Sequence, residues 1–177
     1  MKRILWVVPA ILALCVNARA QQVPQWEISG GYSFLRANIG GSGSSFNLNG
    51  GGGALGENMN DWFGGRFEVH AYSGTTGGVN VNLQTITFGP VFTYRKFDKI
   101  TPYADVEFGD VHASAGFVGI SASANKFAMT AGGGVDYNIN DRFAVRFQGE
   151  YLMTRFLDSR QDNLQFSTAL VVRLGKK

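Results

Sequence analysis

Charged side chains stand at alternate positions in several stretches of the sequence. Arg66 and Glu68 have this spacing, and Arg146 and Glu150 lie four residues apart. In a β-strand, residues separated by an even number of positions point to the same face, so each set of opposite charges would share one face. Ion pairing and charge-assisted hydrogen bonding are the chemistry that such a face can perform. Nine charged residues are candidates for this polar face: Glu27, Arg66, Glu68, Asp105, Glu107, Asp136, Arg146, Glu150 and Arg173.

The pair His112 and Ser114 is a second candidate for chemistry, because the two residues lie two apart on one predicted strand face. A histidine that accepts the proton of a neighbouring serine hydroxyl is the arrangement that activates a serine nucleophile. The sequence offers no identifiable acidic residue to orient the histidine, and two polar residues near a strand end need no catalytic explanation. We therefore predict no catalytic residues and keep this pair as an alternative.

Metal and cofactor sites are not predicted. His70 has no second histidine or cysteine at ligand spacing, so a zinc-type site is not expected. The glycine runs at 50–53 and 132–134 precede no predicted helix and no Lys-Ser/Thr pair, so they are not phosphate-binding loops. We expect neither a metal nor a cofactor.

Eight segments of the chain could position these side chains, because they alternate apolar and polar residues with a period of two, although Gly50 to Gly53 interrupts the alternation of the second. This period is typical of strands with one apolar and one polar face. The last segment is the clearest, with Leu164, Phe166 and Leu170 on one face and Asn163 and Gln165 on the other. The segments are 26–35, 46–55, 62–72, 81–94, 102–112, 126–138, 142–152 and 163–175.

The first and last segments predict how the sheet closes. A final strand without a neighbour would leave an exposed edge that is prone to aggregation. Pairing segment 26–35 with segment 163–175 removes both edges of the sheet. The sequence therefore predicts an all-β fold, an eight-stranded antiparallel up-and-down β-barrel.

The connecting segments alternate in length. Those at 56–61, 95–101 and 139–141 are short and polar, whereas those at 36–45, 73–80, 113–125 and 155–162 are mostly longer and rich in Gly and Ser. Short turns at one end and longer loops at the other are expected of outer-membrane barrels. We predict that an extracellular ligand, if there is one, contacts the loops 36–45 and 113–125.

Composition and aromatic placement favour a membrane barrel over a soluble one. Charged residues form 16% of the sequence, against about a quarter in a typical soluble domain. No run of about 20 apolar residues follows the first 20 positions, which excludes membrane-spanning helices there. Aromatic residues such as Trp26, Trp62 and Tyr151 lie near segment ends, as interfacial belts require. We therefore expect the apolar face, including Phe67 and Phe147, to point toward lipid.

The first 20 residues have the pattern of a cleaved signal peptide. Lys2 and Arg3 precede an apolar run at 4–16, and small residues at 18–20 offer a cleavage site. Cys15 raises lipoprotein processing as an alternative, although Leu14 before it is larger than such sites prefer. We predict a signal peptide at 1–20 and one barrel domain at 21–177. The mature chain would hold 13 basic and 13 acidic residues, so its charge predicts no nucleic-acid partner.

At this point the chain resembles the small eight-stranded outer-membrane barrels of Gram-negative bacteria, of the outer-membrane protein A, X and W type. The resemblance rests on the eight segments, the hairpin at 132–152 and the terminal strand. It implies residence in the bacterial outer membrane, contact with outer-membrane lipid and recognition by the barrel assembly machinery. The family's terminal assembly signal corresponds here to Ser167, Ala169, Val172 and Leu174, with Ala in place of Gly and Leu in place of an aromatic residue.

The His-x-Ser pair at 112 and 114 is similar to that of outer-membrane lipid A deacylases, although Lys126 stands about where that family has Glu. An eight-stranded barrel is just wide enough for its own side chains. Charges of both signs inside it favour a paired network, since an unpaired buried charge is costly. We predict a structural or surface-interaction role with a lumen filled by a polar network. A narrow porin-like channel for small or hydrophobic solutes and a lipid A-type hydrolase are the alternatives.

Overall fold

The fold comes from a computed structural model, which describes residues 23–38, 45–117, 120–156 and 159–175. The strands are all antiparallel to their neighbours and close into a barrel in chain order. Their bounds are β1 (Trp26–Asn38), β2 (Ser45–Asn58), β3 (Phe63–Thr76), β4 (Val79–Thr93), β5 (Ile100–Phe117), β6 (Ile120–Asn138), β7 (Phe143–Phe156) and β8 (Ser159–Leu174). The predicted eight-stranded up-and-down barrel is confirmed.

The barrel closes between β1 and β8, as the alternation of the two terminal segments predicts. Trp26 lies opposite Leu174, and the ladder continues to Arg36 opposite Leu164. The same β1 residues pair on their other side with β2, from Trp26 opposite Glu57 to Asn38 opposite Ser45. Both terminal strands therefore have a neighbour on each side, and the sheet has no free edge at the closure.

Side-chain orientation follows the predicted faces. Phe67, Phe127 and Phe147 point outward and are 45%, 53% and 57% exposed. Arg66 and Glu150 point inward and are each 4% exposed. Exposed aromatic rings with buried charges are the inverse of a soluble core, and this inversion is what a lipid-facing barrel requires. No helix of the described residues is long and apolar enough to cross a membrane.

Short turns at 59–62, 94–99 and 139–142 lie at the barrel end where β1 begins and β8 ends, which we call the turn end. Aromatic rings on the outer surface gather near both ends of the apolar band. Trp62, Phe63 and Phe92 pack near the turn end with ring centroids 5.5 to 6.1 Å apart. Phe108 and Phe127 stack at 6.5 Å toward the opposite, hairpin end. These positions fit the interfacial belts of a membrane barrel.

The predicted loops at the hairpin end are mostly strand, so this part of the prediction is wrong. β3 and β4 are joined by Gly77 and Gly78 alone, whose φ angles of 55° and 79° suit a tight hairpin turn. The predicted loop 113–125 belongs to β5 and β6 except for 118–119, and 155–162 belongs to β7 and β8 except for 157–158. Positions 118–119, 157–158 and most of the predicted loop 36–45, namely 39–44, lie outside the described residues.

The hairpins continue for a physical reason. Beyond the membrane both strand faces meet water, so Ser, Asn, Thr and Gly can occupy either face while the backbone ladder persists. Asn80 still pairs with Gly116, and Ser114 with Ser123. Loss of alternation therefore marks the end of the lipid-facing band and not the end of the strands.

The predicted signal peptide at 1–20 lies outside the described residues and stays a prediction.

Within the barrel, the interior has two parts. A polar network occupies the turn-end half and the centre. Toward the hairpin end an apolar layer, here the septum, crosses the lumen; its members are Leu35, Leu48, Tyr72, Leu83, Val111, Ala128 and Leu152.

Candidate functional site

The lumen of the barrel is the candidate site, because the structure brings all nine predicted charged residues into it. None is more than 9% exposed, although they come from six different strands. Each lies at an inward position of its strand, next to outward apolar neighbours. The nine are Glu27, Arg66, Glu68, Asp105, Glu107, Asp136, Arg146, Glu150 and Arg173.

Arg146 is the centre of the network at the turn end. Its Nε donates to Asp136 Oδ1 at 2.7 Å, and its Nη2 donates to Asp136 Oδ2 at 2.9 Å. The same Nη2 reaches Glu27 Oε2 at 3.0 Å. Arg173 adds a second guanidinium, with its Nη2 3.3 Å from Asp136 Oδ2. This fork-to-fork geometry holds β1, β6, β7 and β8 together through charge-assisted hydrogen bonds.

Arg95 and Asn58 cover the turn-end mouth of the lumen. Arg95 lies in the turn between β4 and β5, and its Nη2 donates to Glu27 Oε1 at 3.1 Å and to Asn58 Oδ1 at 3.0 Å. The Asn58 amide in turn donates to the carbonyl of Pro24 at 2.9 Å. Val23 is buried beside this contact. The segment before β1 is thereby held against the mouth.

Tyr103 links the turn-end cluster to the centre of the lumen. Its ring contacts two guanidiniums, with Arg66 Cζ 4.5 Å and Arg146 Cζ 4.7 Å from the ring centroid. Arg66 also donates to Asp105 Oδ2 at 2.7 Å and lies 3.5 Å from Glu68 Oε1. The electron-rich aromatic ring is a favourable surface for both cations.

Polar side chains other than the nine charged candidates extend the network toward the septum. His70 Nδ1 lies 2.9 Å from Ser33 Oγ, and His70 Nε2 lies 3.3 Å from Glu68 Oε2. Gln148 Nε2 donates to Glu68 at 3.2 Å. Gln165 Nε2 donates to Glu150 Oε2 at 2.7 Å.

Sequence reasoning missed several network residues because it considered charged side chains only. Inward parity on the predicted strands would have identified all of them except Asn58, which lies in the predicted connector 56–61. They are Ser33, Asn58, His70, Thr87, Tyr103, Gln148 and Gln165.

A cavity of about 10 Å³ borders Ser29, Ser33, Glu68, His70 and Gln148. That volume is roughly enough for one water molecule. Above it, the septum residues Leu35, Leu48, Val111 and Leu152 are 0% exposed, so their inward side chains contact each other without intervening solvent.

The alternative catalytic pair lies outside the lumen. His112 is exposed on the outer face of β5, and its Nδ1 lies 2.5 Å from Asn125 Oδ1 on β6. Ser114 shares that outer face, two positions farther along β5, opposite Ser123. Among the described residues, His112 therefore contacts an amide and not the serine or a carboxylate. No group of three or more His, Cys, Asp or Glu side chains in the described parts of the chain is arranged to hold a metal ion.

The predicted assembly residues lie on β8. By strand parity Ser167 and Ala169 face the lumen, whereas Val172 and Leu174 face outward. Ser167 pairs with Ser33 on β1 and with Gln148 on β7. Recognition of these residues by the barrel assembly machinery stays a prediction.

A comparison with models of protein families identifies the family of the chain. Residues 7–175 match the family described as outer membrane protein beta-barrel domain. The chain belongs to this family. Its place in the bacterial outer membrane follows from membership. No curated protein matches the sequence significantly.

Solved structures of outer-membrane barrels share the fold. Neisserial surface protein A superposes with a TM-score of 0.75 at 13% identity, over 85% of this chain and 97% of that one. Ail, the attachment invasion locus protein of Yersinia pestis, gives 0.60 at 18% identity, over 84% and 99%. OprG from Pseudomonas aeruginosa gives 0.56 at 10% identity, over 89% and 99%. At these identities the likeness concerns the fold alone.

Proposed function

We propose that this chain is a closed outer-membrane barrel with a structural or surface-interaction role, and not a conduit for solutes. The septum supports the proposal most directly. Four of its side chains are completely buried although they point into the lumen, so solvent does not pass between them. Below the septum, side chains also span the lumen: Gln148 on β7 donates to Glu68 at 3.2 Å, and Glu68 is on β3 in the opposite wall of the barrel.

The signs of the lumen charges also support a structural role. A selective pore is usually lined by a ring of one charge sign around a water-filled path. Here Arg66 is 2.7 Å from Asp105, and Arg146 is 2.7 Å from Asp136, so carboxylates neutralise the guanidiniums. The first pair joins β3 to β5, the second joins the neighbouring strands β6 and β7, and both fill the interior.

Planar-bilayer recording tests the closed lumen. Purified, folded wild-type protein is expected to give no discrete conductance steps. A Leu48→Ala/Leu152→Ala variant shortens two septum side chains, and the lipid-facing Leu170→Ala serves as its matched control. Reproducible wild-type channels, together with liposome swelling by small solutes, would replace this proposal with the narrow-channel alternative.

The surface role would use the hairpin end. β5 and β6 comprise 18 and 19 residues, more than the 9–11 or so that a tilted strand needs to cross the hydrocarbon layer. The hairpin beyond Phe108 and Phe127 therefore extends past the apolar band. A ligand of the predicted regions 36–45 and 113–125 would meet strand surface at 113–117 and 120–125.

The lipid A hydrolase is tested by a single substitution. Ser114→Ala is expected to leave the lipid A profile of expressing cells unchanged, because the nearest recorded partner of His112 is Asn125. Loss of a deacylated product in this variant, with barrel folding intact, would establish catalysis.

Export through the predicted signal peptide is tested by the mass of the mature protein, which is expected to begin at Gln21.

A further inference from the structure

Two acidic side chains inside the lumen have no cation of their own. Among the described residues, Glu107 and Glu150 form no ion pair, although both are buried, at 0% and 4% exposure. The other four lumen carboxylates are paired with guanidiniums: Glu27 and Asp136, between them, with Arg95, Arg146 and Arg173, and Glu68 and Asp105 with Arg66.

The charged groups that face the two acids add to the excess of negative charge. Glu68 on β3 and Asp105 on β5 interact electrostatically with both acids, and the acids interact with each other. Arg66 also faces Glu107, but it already serves Glu68 at 3.5 Å and Asp105 at 2.7 Å. One guanidinium therefore stands against four carboxyl groups in this part of the lumen.

Two further titratable side chains lie near Glu150. Tyr72 interacts with it electrostatically and, like phenols in general, is uncharged at neutral pH. His70 Nε2 lies 3.3 Å from the amide nitrogen of Gln165 and 3.3 Å from Glu68 Oε2. A proton on His70 would balance only one of the two unpaired charges.

The hydrogen bonds around both acids lack a donor. Glu107 Oε1, Glu150 Oε1 and Gln165 Oε1 are buried acceptors without a partner in the described parts of the chain. Gln165 Nε2 donates to Glu150 Oε2 at 2.7 Å, and Thr87 Oγ1 lies 2.6 Å from Glu107 Oε2. Thr130, which pairs with Glu107 from β6, is neutral. An ionised carboxylate only accepts hydrogen bonds, whereas a carboxylic acid also supplies one donor.

We propose that Glu107 and Glu150 are protonated in the folded barrel at neutral pH, so that the lumen holds two protons. A buried carboxylate without a cation is strongly unfavourable, and a proton removes its charge without needing any other ligand. The two protons leave equal numbers of opposite charges in the lumen: Glu27, Glu68, Asp105 and Asp136 against Arg66, Arg95, Arg146 and Arg173.

The inference goes beyond a structural or surface role, because it makes the closed lumen sensitive to pH. In the unfolded chain, a glutamate carboxyl loses its proton above about pH 4.3. The folded barrel retains two protons above that pH, so the unfolded state binds fewer, and stability falls as the pH rises. Leu152 of the septum is the next inward residue of β7 after Glu150, so ionisation brings a charge against the septum.

Infrared spectroscopy of the full-length folded barrel in lipid vesicles tests for the protons directly. A protonated carboxyl group has a carbonyl stretching band that is separate from both bands of a carboxylate. At pH 7 we expect this band in the wild type, with about half of its intensity lost in Glu107→Gln and in Glu150→Gln. Asp110→Asn removes an exposed carboxylate from the outer face of β5 and should keep the full intensity. A wild-type spectrum without the band overturns the inference, and that measurement depends on no variant.

The pH dependence of urea unfolding is an independent test. Each retained proton raises the unfolding equilibrium constant about tenfold per pH unit. Between pH 6 and pH 7, the constant of the wild type should therefore rise about a hundredfold more than that of a Glu107→Gln/Glu150→Gln double variant, in which amides replace the neutral acids. Asp136→Asn removes a lumen carboxylate that is paired with Arg146, and it should keep the pH dependence of the wild type. Equal pH dependence of the wild type and the double variant would contradict the two protons.

Discussion

Lumen glycines are the residues that make room for the polar network. A Cβ on Gly52 would lie 2.1 Å from His70 Nδ1, and one on Gly134 would lie 2.7 Å from the Tyr103 hydroxyl. Both distances are far below van der Waals contact. His70 and Tyr103 therefore fit inside the barrel only because the residue paired with each of them on the neighbouring strand is a glycine.

Gly52→Ala is expected to destabilise the barrel by roughly 1–3 kcal/mol, as overpacking of a well-filled interior does. The added methyl would move His70 away from Ser33, its partner at 2.9 Å. Gly30→Ala is the matched control, because a Cβ there would meet the Gly52 carbonyl oxygen at 3.8 Å, an ordinary van der Waals distance. Urea unfolding in lipid vesicles measures both changes. Equal stability of the two variants would mean that the network repacks freely.

Arg146→Met is expected to lower the free energy of unfolding by roughly 3–5 kcal/mol, because it leaves the buried carboxylates of Asp136 and Glu27 short of a cation. Arg142→Met is the control, since Arg142 is exposed in the turn before β7. A double variant with Asp136→Asn should recover part of the loss. Additive effects of the two substitutions would show that the pair does not act as a unit.

At the residue scale, strand parity predicts more of the lumen than charge does. All nine charged candidates are inside, and so are the neutral members such as Tyr103 and Gln148, which occupy the same inward register. The septum was not predicted. Leu35 and Leu152 break the polar pattern of their inward faces, and only the closed ring of strands shows that they meet.

At the element scale, two turn-end connections repeat one local design. The sequence Asn-x-Asn-Asp-x-Phe occurs at 58–63 and again at 138–143. Asn60 Oδ1 accepts from the backbone N–H of Trp62 at 3.0 Å and of Phe63 at 2.8 Å. Asn140 does the same for the turn before β7, at 2.9 and 2.8 Å. The side-chain amide thus satisfies two backbone donors of a tight turn.

Asn140→Ala is expected to lower stability by about 1 kcal/mol, because two backbone donors lose their acceptor. Asn140→Asp puts a carboxylate oxygen in the place of the amide oxygen. It should therefore keep most of the stability that the alanine variant loses. Asn82→Ala, on the exposed outer face of β4, is the control. Chemical unfolding of the three variants gives the comparison. An alanine variant as stable as wild type would show that water replaces the amide without penalty.

The strand boundaries show why the elements were predicted better than their connections. Within the apolar band, lipid outside and polar groups inside force a strict alternation, and all eight segments are strands. Above the band this constraint is absent, so the Ser- and Ala-rich stretch of β5 and β6 had the composition of a loop. Glycine pairs remain informative there, since the Gly77–Gly78 turn needs positive φ angles.

At the scale of the whole molecule, closure between β1 and β8 depends on the terminal strand, where the predicted assembly signal lies. Leu174→Phe restores the aromatic residue that the resembled family carries. It should raise the fraction of folded barrel without changing its fold, because Leu174 is 46% exposed toward lipid. Leu170→Phe, 50% exposed on the same strand, is the control for added apolar area alone. Heat-dependent gel migration gives the folded fraction. Equal folded fractions of the two variants would show that an aromatic residue at position 174 does not itself promote assembly.

The Gly77–Gly78 turn has a practical consequence. It lies at the opposite end of the barrel from the first residue of β1 and the last residue of β8. Outer-membrane barrels keep their short turns on the periplasmic side, so in that orientation a tag fused next to either of those strand ends would be hidden from the medium. An epitope grafted between the two glycines would instead stand on the cell exterior, carried by a ladder that is already closed beneath it.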